Sequence, residues 1–413
     1  MDLDLTDASF ASMIAGWLRD LDDDVLGDPA ALFEQSPGVY PTTLLPLWRT
    51  ELARRHLEPR DLPTTAAAED VSELPVSHPA DADWRFTPQS AVELARQATQ
   101  SVGGGEVVVH IGTPNTFLRC VVAATGHQHV LLDRNTAVLD ALADRIRPPN
   151  LMLGIDLRAI TWLRLGAGAA IVDPPWYLED TLSFLTVAAE ACRPGATVLL
   201  CQPTIGTRPG VARERDQLLE SVAAVGLEVS ALRSGAVRYA TPHFEAVSLH
   251  AAAQGFPVPV SWRKGDVLEL TRTDSPPAGA AAGTAQREWR EVRFGPVRLK
   301  LAQQPTGPDL GHITPEDVLP TVSRRDPLRT RIGLWTSGNR VFTLQHPDLI
   351  TDLIARCEQD RAAGQFTLSH TVAHAQTLGV GQDTAVRLFQ LLRIELDEHP
   401  HSGGHTDERK ECP

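Results

Sequence analysis

The residues best suited to chemistry are Asp173-Pro174-Pro175-Trp176-Tyr177, which follow directly on the apolar run Ala170-Ile171-Val172. Two successive prolines end a strand and fix the backbone, because each ring locks φ and removes an N–H. A rigid turn of this kind aims carbonyl oxygens outward at an amine. The Asp173 carboxylate can accept a second hydrogen from the same NH2 group. The Trp176 ring can stack on a flat substrate, with Tyr177 lining the same pocket. Together these parts orient an amine and keep its lone pair pointed at an electrophile, which is catalysis by positioning and electrostatics. Asp173, Pro174, Pro175 and Trp176 are therefore the candidate catalytic residues. Taken alone, four such letters also describe an ordinary strand-ending turn.

The surrounding texture supplies the elements that must position this turn. Apolar segments of strand length occur at Glu106–Ile111, His129–Asp133, Ala169–Asp173, Ala196–Pro203, Leu227–Leu232 and Phe244–His250. Helical stretches near Thr116–Thr125, Ala137–Ile146, Glu179–Cys192 and Ala212–Val225 separate them, and a helix over Pro88–Gln100 precedes them. Strand–helix alternation with continuous apolar strands predicts an α/β domain whose parallel sheet is covered on both faces. Ligands of such sheets bind at the carboxyl ends of the strands.

Asp173-Pro174-Pro175-Trp176 resembles the (D/N/S)PP(Y/W/F) motif of amino-methyltransferases that use S-adenosylmethionine, among them adenine-N6 and cytosine-N4 enzymes. The resemblance covers residues 86–255 and implies a Rossmann-like methyltransferase sheet. Val107–Ile111 with Gly112-Thr113-Pro114 looks like the first strand and the loop that approaches the cofactor. Leu131-Leu132-Asp133 places an acid 21 residues after Gly112; in the family that acid takes the ribose hydroxyls. Asp156 and Leu157 fall where the third strand's adenine-contacting residues lie. The resemblance thus implies S-adenosylmethionine held by Gly112, Thr113, Asp133, Asp156 and Leu157, with no metal. Asp133 equally reads as a helix N-cap. The family's first loop usually carries several glycines, whereas Gly112-Thr113-Pro114-Asn115-Thr116 has one. The layout also resembles branched-polyamine aminopropyltransferases, which share the Asp-Pro-Pro turn; Asp156-Leu157-Arg158 matches their third-strand segment, but the neutral first loop does not match their acidic one. The cofactor loop precedes Asp173 by about 60 residues, the gamma motif order, so a substrate-recognition part is expected C-terminal to the sheet.

The chain has 413 residues and a net charge of −14, which suggests several domains and argues against indiscriminate binding to polyanions. Five cysteines without a CxxC pair read as reduced thiols. With no apolar run long enough for a membrane span and no basic leader at Met1, the expected location is cytoplasmic. Residues 1–100 carry 18 acidic and 7 basic side chains and read as an acidic helical N-terminal domain over 1–85. Beyond the sheet, a β-rich basic region is expected over 256–345, a helical domain over 346–399 and a disordered tail over 400–413. Within Arg287–Arg340 ten basic residues face six acids, interleaved with Trp289, Phe294 and Trp335. Arg324, Arg325, Asn339 and Arg340 are the candidate substrate contacts there, because arginine and asparagine hold phosphates and read base edges. Thr367–Leu396 resembles a helix-turn-helix unit, and His370 and His374 sit four residues apart, a metal-ligand spacing without a third ligand in sequence. Together with these features, the resemblance implies an N-methyltransferase whose target is the exocyclic amine of a nucleic-acid base. Transfer to a small-molecule polyamine or protein amine, and an inactive cofactor-binding module, are the alternatives.

Overall fold

The computed structural model describes residues 5–60, 73–157, 163–252, 259–276, 288–310, 318–319 and 327–399. The chain forms two compact units, each assembled from several stretches. The first draws on Met1–Leu74, Trp84–Pro242 and Ala252–Gln286, and the second on Pro75–Asp83, His243–Ala251 and Arg287–Pro413.

The first unit opens with four helices, α1 (Leu5–Asp20), α2 (Asp23–Leu26), α3 (Pro29–Gln35) and α4 (Pro41–Arg55). Asp22 adopts an extended backbone, which ends the first helical run and starts α2. The Asp28 carboxylate caps α3 by accepting from the Ala30 and Ala31 N–H groups. Leu18, Leu26, Leu44 and Trp48 are buried between the helices, and the Trp48 indole donates to the Leu26 carbonyl at 2.7 Å. These helices belong to the same unit as the sheet.

The α/β part follows as β1 (Arg85–Phe86), α5 (Pro88–Gln100), β2 (Val107–Ile111), α6 (Pro114–Val122), β3 (Gln128–Asp133), α7 (Thr136–Ala143), β4 (Leu151–Gly154), β5 (Ala167–Val172), α8 (Leu178–Ala191), β6 (Cys192–Pro203), α9 (Val211–Val222) and β7 (Leu227–Ala240). After α10 (His243–Ala252), β8 (Lys264–Arg272) completes the sheet. The strand order is β1-β7-β8-β6-β5-β2-β3-β4. Strands β2 to β6 are parallel, and β8 runs antiparallel between β6 and β7. This is a Rossmann-like sheet with one antiparallel strand inserted near its edge. Val109, Ile111, Leu132, Val172, Leu200 and Leu270 are almost fully buried on one face, and Val108, Ile171, Leu199 and Val267 on the other. Burial on both faces explains why the strands read as continuous apolar runs.

Two expectations are corrected. Phe244–His250 is helix α10 in the second unit, not a strand. A short apolar run fits either period; here Phe244 and Leu249 are buried and the Ser248 hydroxyl donates back to the Phe244 carbonyl at 3.0 Å, a helical contact. Within the β-rich region expected over 256–345, Lys264–Arg272 instead forms β8 of the main sheet.

The second unit holds an antiparallel sheet of order β12-β11-β10-β9, from β9 (Trp289–Phe294), β10 (Val297–Ala302), β11 (Leu334–Thr336) and β12 (Val341–Phe342). Helices α11 (Pro347–Ala362), α12 (Leu368–Leu378) and α13 (Gln382–Glu398) share a core with it, including Leu299, Leu334, Ile354, Leu388 and Leu392. Gly379 closes α12 in the left-handed region, the glycine C-cap that a helical hairpin needs. Between β11 and β12, Asn339 sits at φ 65°. Its amide oxygen accepts from the Trp335 indole (2.8 Å), and its amide nitrogen donates to the Ser248 hydroxyl (2.6 Å) and the Leu319 carbonyl (2.8 Å). Replacing Asn339 with Ala would leave these buried groups unpaired and put a Cβ-bearing residue without local hydrogen bonding at positive φ. Asn339→Ala is expected to lower stability by about 3 kcal/mol in chemical unfolding; a loss under about 1 kcal/mol would show that the turn does not depend on this network.

Candidate active site

The sheet reverses direction between β2 and β5: from β2 the chain proceeds outward through β3 and β4, then returns to pair β5 with β2 on its other side. A crevice opens at the carboxyl ends of two strands whose continuations diverge in this way. Gly112 follows β2 and Asp173 follows β5. The Ile111 carbonyl accepts from the Asp173 N–H (3.1 Å), and the Leu132 carbonyl from the Gly112 N–H (3.0 Å). Gly112 adopts φ +67°, and a Cβ there would lie 3.0 Å from the Asp173 carbonyl oxygen and 3.3 Å from the Phe184 ring. The structure therefore brings the first-loop glycine and the diproline turn together.

Thr113, buried at the entry to α6, has a hydroxyl with no hydrogen-bond partner among the described residues. Asp133 ends β3, with one carboxylate oxygen accepting from the Asn135 N–H at 2.9 Å. Asp156 is exposed just past β4, the neighbouring strand, while Leu157 is buried in the core. A glycine with no room for a side chain, an orphaned buried hydroxyl and two carboxylates at adjacent strand ends form a donor set that fits the nucleoside and amino-acid portions of S-adenosylmethionine. The remaining residues of the first loop are engaged internally. The Asn115 amide donates to the Phe86 carbonyl (2.8 Å) and the Thr116 hydroxyl to the Thr113 carbonyl (2.7 Å).

Asp173 is half-buried, and its Oδ1 accepts from the Tyr239 hydroxyl on β7 at 2.7 Å. Burial pushes its pKa up to about 8, against the opposing pull of that hydrogen bond and of the Arg263 guanidinium. The Tyr239 ring lies edge-on to Trp176, with centroids 5.3 Å apart. The Trp176 carbonyl accepts from Arg208 at 2.8 Å, and Arg208 is paired with Glu214 on α9 at 2.6 Å. The loop Gly206-Thr207-Arg208-Pro209-Gly210 after β6 thus clamps the turn from the side. Tyr177 caps the N-terminal end of α8, its carbonyl accepting from Thr181.

Two residues, Tyr239 and Arg263, were not singled out from sequence, whereas the loop that carries Arg208 reads from sequence either as a cover of the site or as a plain βα loop. Tyr239 fixes the Asp173 carboxylate; Arg208 holds the Trp176 backbone. Arg263, just before β8, stands over the rings of Trp84 at 3.5 Å, Trp176 at 4.9 Å and Trp262 at 5.2 Å. The Trp262-Arg263 pair was the available signal, but only folding brings it to Trp176.

The sequence-derived substrate contacts are not brought to this site. Arg324 and Arg325 lie outside the described residues. Asn339 is engaged as described, and Arg340, 4% exposed, pairs with Glu395 at 3.0 Å and Glu398 at 2.8 Å. Of the other cations in that segment, Arg298 is buried against Asp81 (2.8 Å) and Glu291 (2.7 Å), and Lys300 against Asp81. Arg298, Lys300 and Arg340 are therefore neutralised inside the second unit.

His110, Cys120 and His129 offer metal-type ligand atoms within 4.8 Å of one another. Their hydrogen bonding forms a closed chain: Thr125 with His129 (2.6 Å), His129 with His110 (3.1 Å), and His110 with Thr116 (3.4 Å). One proton per link satisfies both imidazoles as neutral rings, and burial lowers both pKa values. His370 and His374 both face Asp360 of α11, at 3.4 and 3.0 Å.

No protein-family model matches this chain, and no curated protein matches it. Among solved structures, the branched-chain polyamine synthase from Thermus thermophilus, in complex with N4-aminopropylspermidine and 5'-methylthioadenosine, is similar over 67% of this chain and 97% of its own, with 17% identity and a TM-score of 0.49. The 16S rRNA (adenine(1408)-N(1))-methyltransferase from Catenulisporales acidiphilia is similar over 44% of this chain and 91% of its own, with 18% identity and a TM-score of 0.30. Among the described residues no helix is long and apolar enough to cross a membrane.

Because the Tyr239 hydrogen bond favours the ionised carboxyl, Tyr239→Phe is expected to raise the Asp173 pKa further above about 8. Infrared difference titration of the protonated carboxyl, with Asp173→Asn as the blank, reads this; an unchanged or lower midpoint would contradict the assignment.

Proposed function

We propose that the protein is an S-adenosylmethionine-dependent N-methyltransferase acting on an amino group carried by a flat ring, as in a nucleic-acid base. The observation that carries this reading is the contact of Gly112 with the Asp173-Pro174 turn at the switch point of the sheet. Gly112, the orphaned Thr113 hydroxyl, Asp133 and Asp156 would hold the cofactor, which when bound supplies an electrophilic methyl group on a sulfonium.

The chain's own residues do the rest by placement. The Asp173 carboxylate and the Pro174 carbonyl accept the two amine hydrogens, so the nitrogen lone pair points across the crevice toward the Gly112 side. Tyr239 sets the carboxylate orientation, and Arg208 fixes the turn. Trp176 holds the plane of the ring that carries the amine. A base within a duplex would have to be extruded to meet this turn. As methyl transfer completes, the proton the nitrogen must shed passes along its hydrogen bond to the Asp173 carboxylate and on to solvent, while the bonding pair of the broken C–S bond would stay on the sulfur.

Asp173 accepts hydrogen bonds through both oxygens only when ionised. With its pKa pushed up to about 8, the carboxylate form grows as pH rises through that value. Transfer should therefore increase with pH across this window. The Asn in Asp173→Asn keeps an acceptor oxygen but does not titrate, so that variant should retain part of the activity and lose this limb. Asp173→Ala should reduce labelled-methyl transfer by about a thousandfold while leaving S-adenosylmethionine binding, read by calorimetry, within about twofold. Unchanged turnover in Asp173→Ala would reject the mechanism.

Nucleic acid as partner, through residues 287–340, is tested by binding across a salt series, with affinity expected to fall steeply as salt rises. No binding at low salt would move the acceptor to free nucleosides or other small amines. Transfer to a polyamine draws on the acidity of residues 1–100. Tight S-adenosylmethionine binding without transfer to any acceptor would favour a cofactor-binding module.

A further inference from the structure

We propose that Arg263 determines the class of acceptor: its guanidinium fills the cation slot formed by Trp84, Trp176 and Trp262 beside Asp173, so the site takes an uncharged flat amine and turns away polycations. This rests on the proposed transfer to an amine at Asp173 and narrows its substrate.

Aromatic faces clustered around an acid are the usual way to bind an ammonium group, since the ring quadrupoles and the carboxylate both attract positive charge. Trp84, Trp176 and Trp262 provide the faces, and Tyr40 packs edge-on to Trp262 at 5.3 Å to complete the wall. Trp84 and Trp262 are themselves edge-on at 5.9 Å. In this protein the slot already holds a cation of its own. Arg263 lies closest to Trp84, at 3.5 Å from the ring centre, and spans toward the indole of the diproline turn at 4.9 Å. It acts on Asp173 directly, because its charge favours the carboxylate form.

The slot is built into the framework. Arg263 immediately precedes β8, whose first residues are tied down: the Lys264 ammonium donates to the Glu34 carbonyl at 2.5 Å, and the Tyr239 N–H donates to the Arg263 carbonyl at 3.0 Å. Trp262 is 1% exposed and cannot swing away without opening the core.

A second positive charge entering this slot would meet like charge at close range, whereas a neutral ring amine would meet a planar guanidinium and indole faces on which it can stack. Lys at 263 would keep the charge and lose the plane. Met would keep most of the bulk and lose the charge.

Spermidine is the probe. Its binding to the full chain is followed by tryptophan fluorescence and calorimetry, in wild type, Arg263→Met and Arg263→Lys, with S-adenosylmethionine binding measured alongside. Spermidine should bind Arg263→Met at least tenfold more tightly than wild type, and Arg263→Lys no more tightly than wild type. The pH–rate limb assigned to Asp173 should move to higher pH in Arg263→Met and stay near wild type in Arg263→Lys. The groups facing Asp173 in that comparison are Tyr239 on β7, Cys201 on β6 and Arg263 itself. Equal spermidine affinity in wild type and Arg263→Met, or a gain in Arg263→Lys as large as in Arg263→Met, would overturn the proposal. Loss of S-adenosylmethionine binding or of transfer in wild type would instead refute the underlying reading, since spermidine exclusion is measured without either.

Discussion

The site depends on how closely two neighbouring parallel strands can discharge their chains at the same edge. After β2 and β5 the backbone must turn away in different directions, and the two exits nearly collide. Position 112 favours glycine, because its φ is +67° and a Cβ there would lie only 3.0 Å from the Asp173 carbonyl oxygen. The first loop keeps this one glycine. Its other positions are Thr113, Pro114, Asn115 and Thr116, and the last two hydrogen-bond inward. The loop is therefore stiffened by its own side chains, and its approach to the diproline turn is set by the sheet.

The half-buried Asp173 carboxyl is under electrostatic tension. Burial favours its neutral form, while Tyr239 and Arg263 favour the anion. The balance leaves the group responsive near neutral to mildly alkaline pH, the region where a change of one neighbour alters its charge most. Trp84, Trp176 and Trp262 add contact through indole rings, which do not titrate. Charge at the turn is thus controlled by residues from β7 and from the approach to β8, elements far from β5 in sequence.

That separation explains what could be read in advance. The strands β2, β3, β5 and β6 were legible because burial on both faces leaves unbroken apolar runs, and the diproline turn was legible because Pro-Pro has few structural meanings. β8 was placed in the wrong region, since nothing local marks a strand that returns to insert between two earlier ones. α10 looked like a strand because ten residues of mixed apolar character fit either period. Asn339 and Arg340 looked like surface contacts because polar side chains usually are; their partners, Ser248 and Glu395, lie 91 and 55 residues away. Arg263 was overlooked because its meaning lies in the ring of Trp84, which periodicity does not connect to it.

The second unit is threaded from three separated stretches, and this fixes an order of events during synthesis. Asp81 is paired with Arg298, 217 residues later in the chain. When the ribosome has delivered the first of these, the second has yet to be translated. The stretch Pro75–Asp83 and helix α10 must wait as unpartnered chain while the Rossmann-like sheet closes around the residues between them. The first unit can also be finished only once β8 has emerged, because that strand fills the gap between β6 and β7. The second unit needs α13 as well, which ends at Glu398, so its completion trails that of the first, a timetable dictated by how the chain is woven.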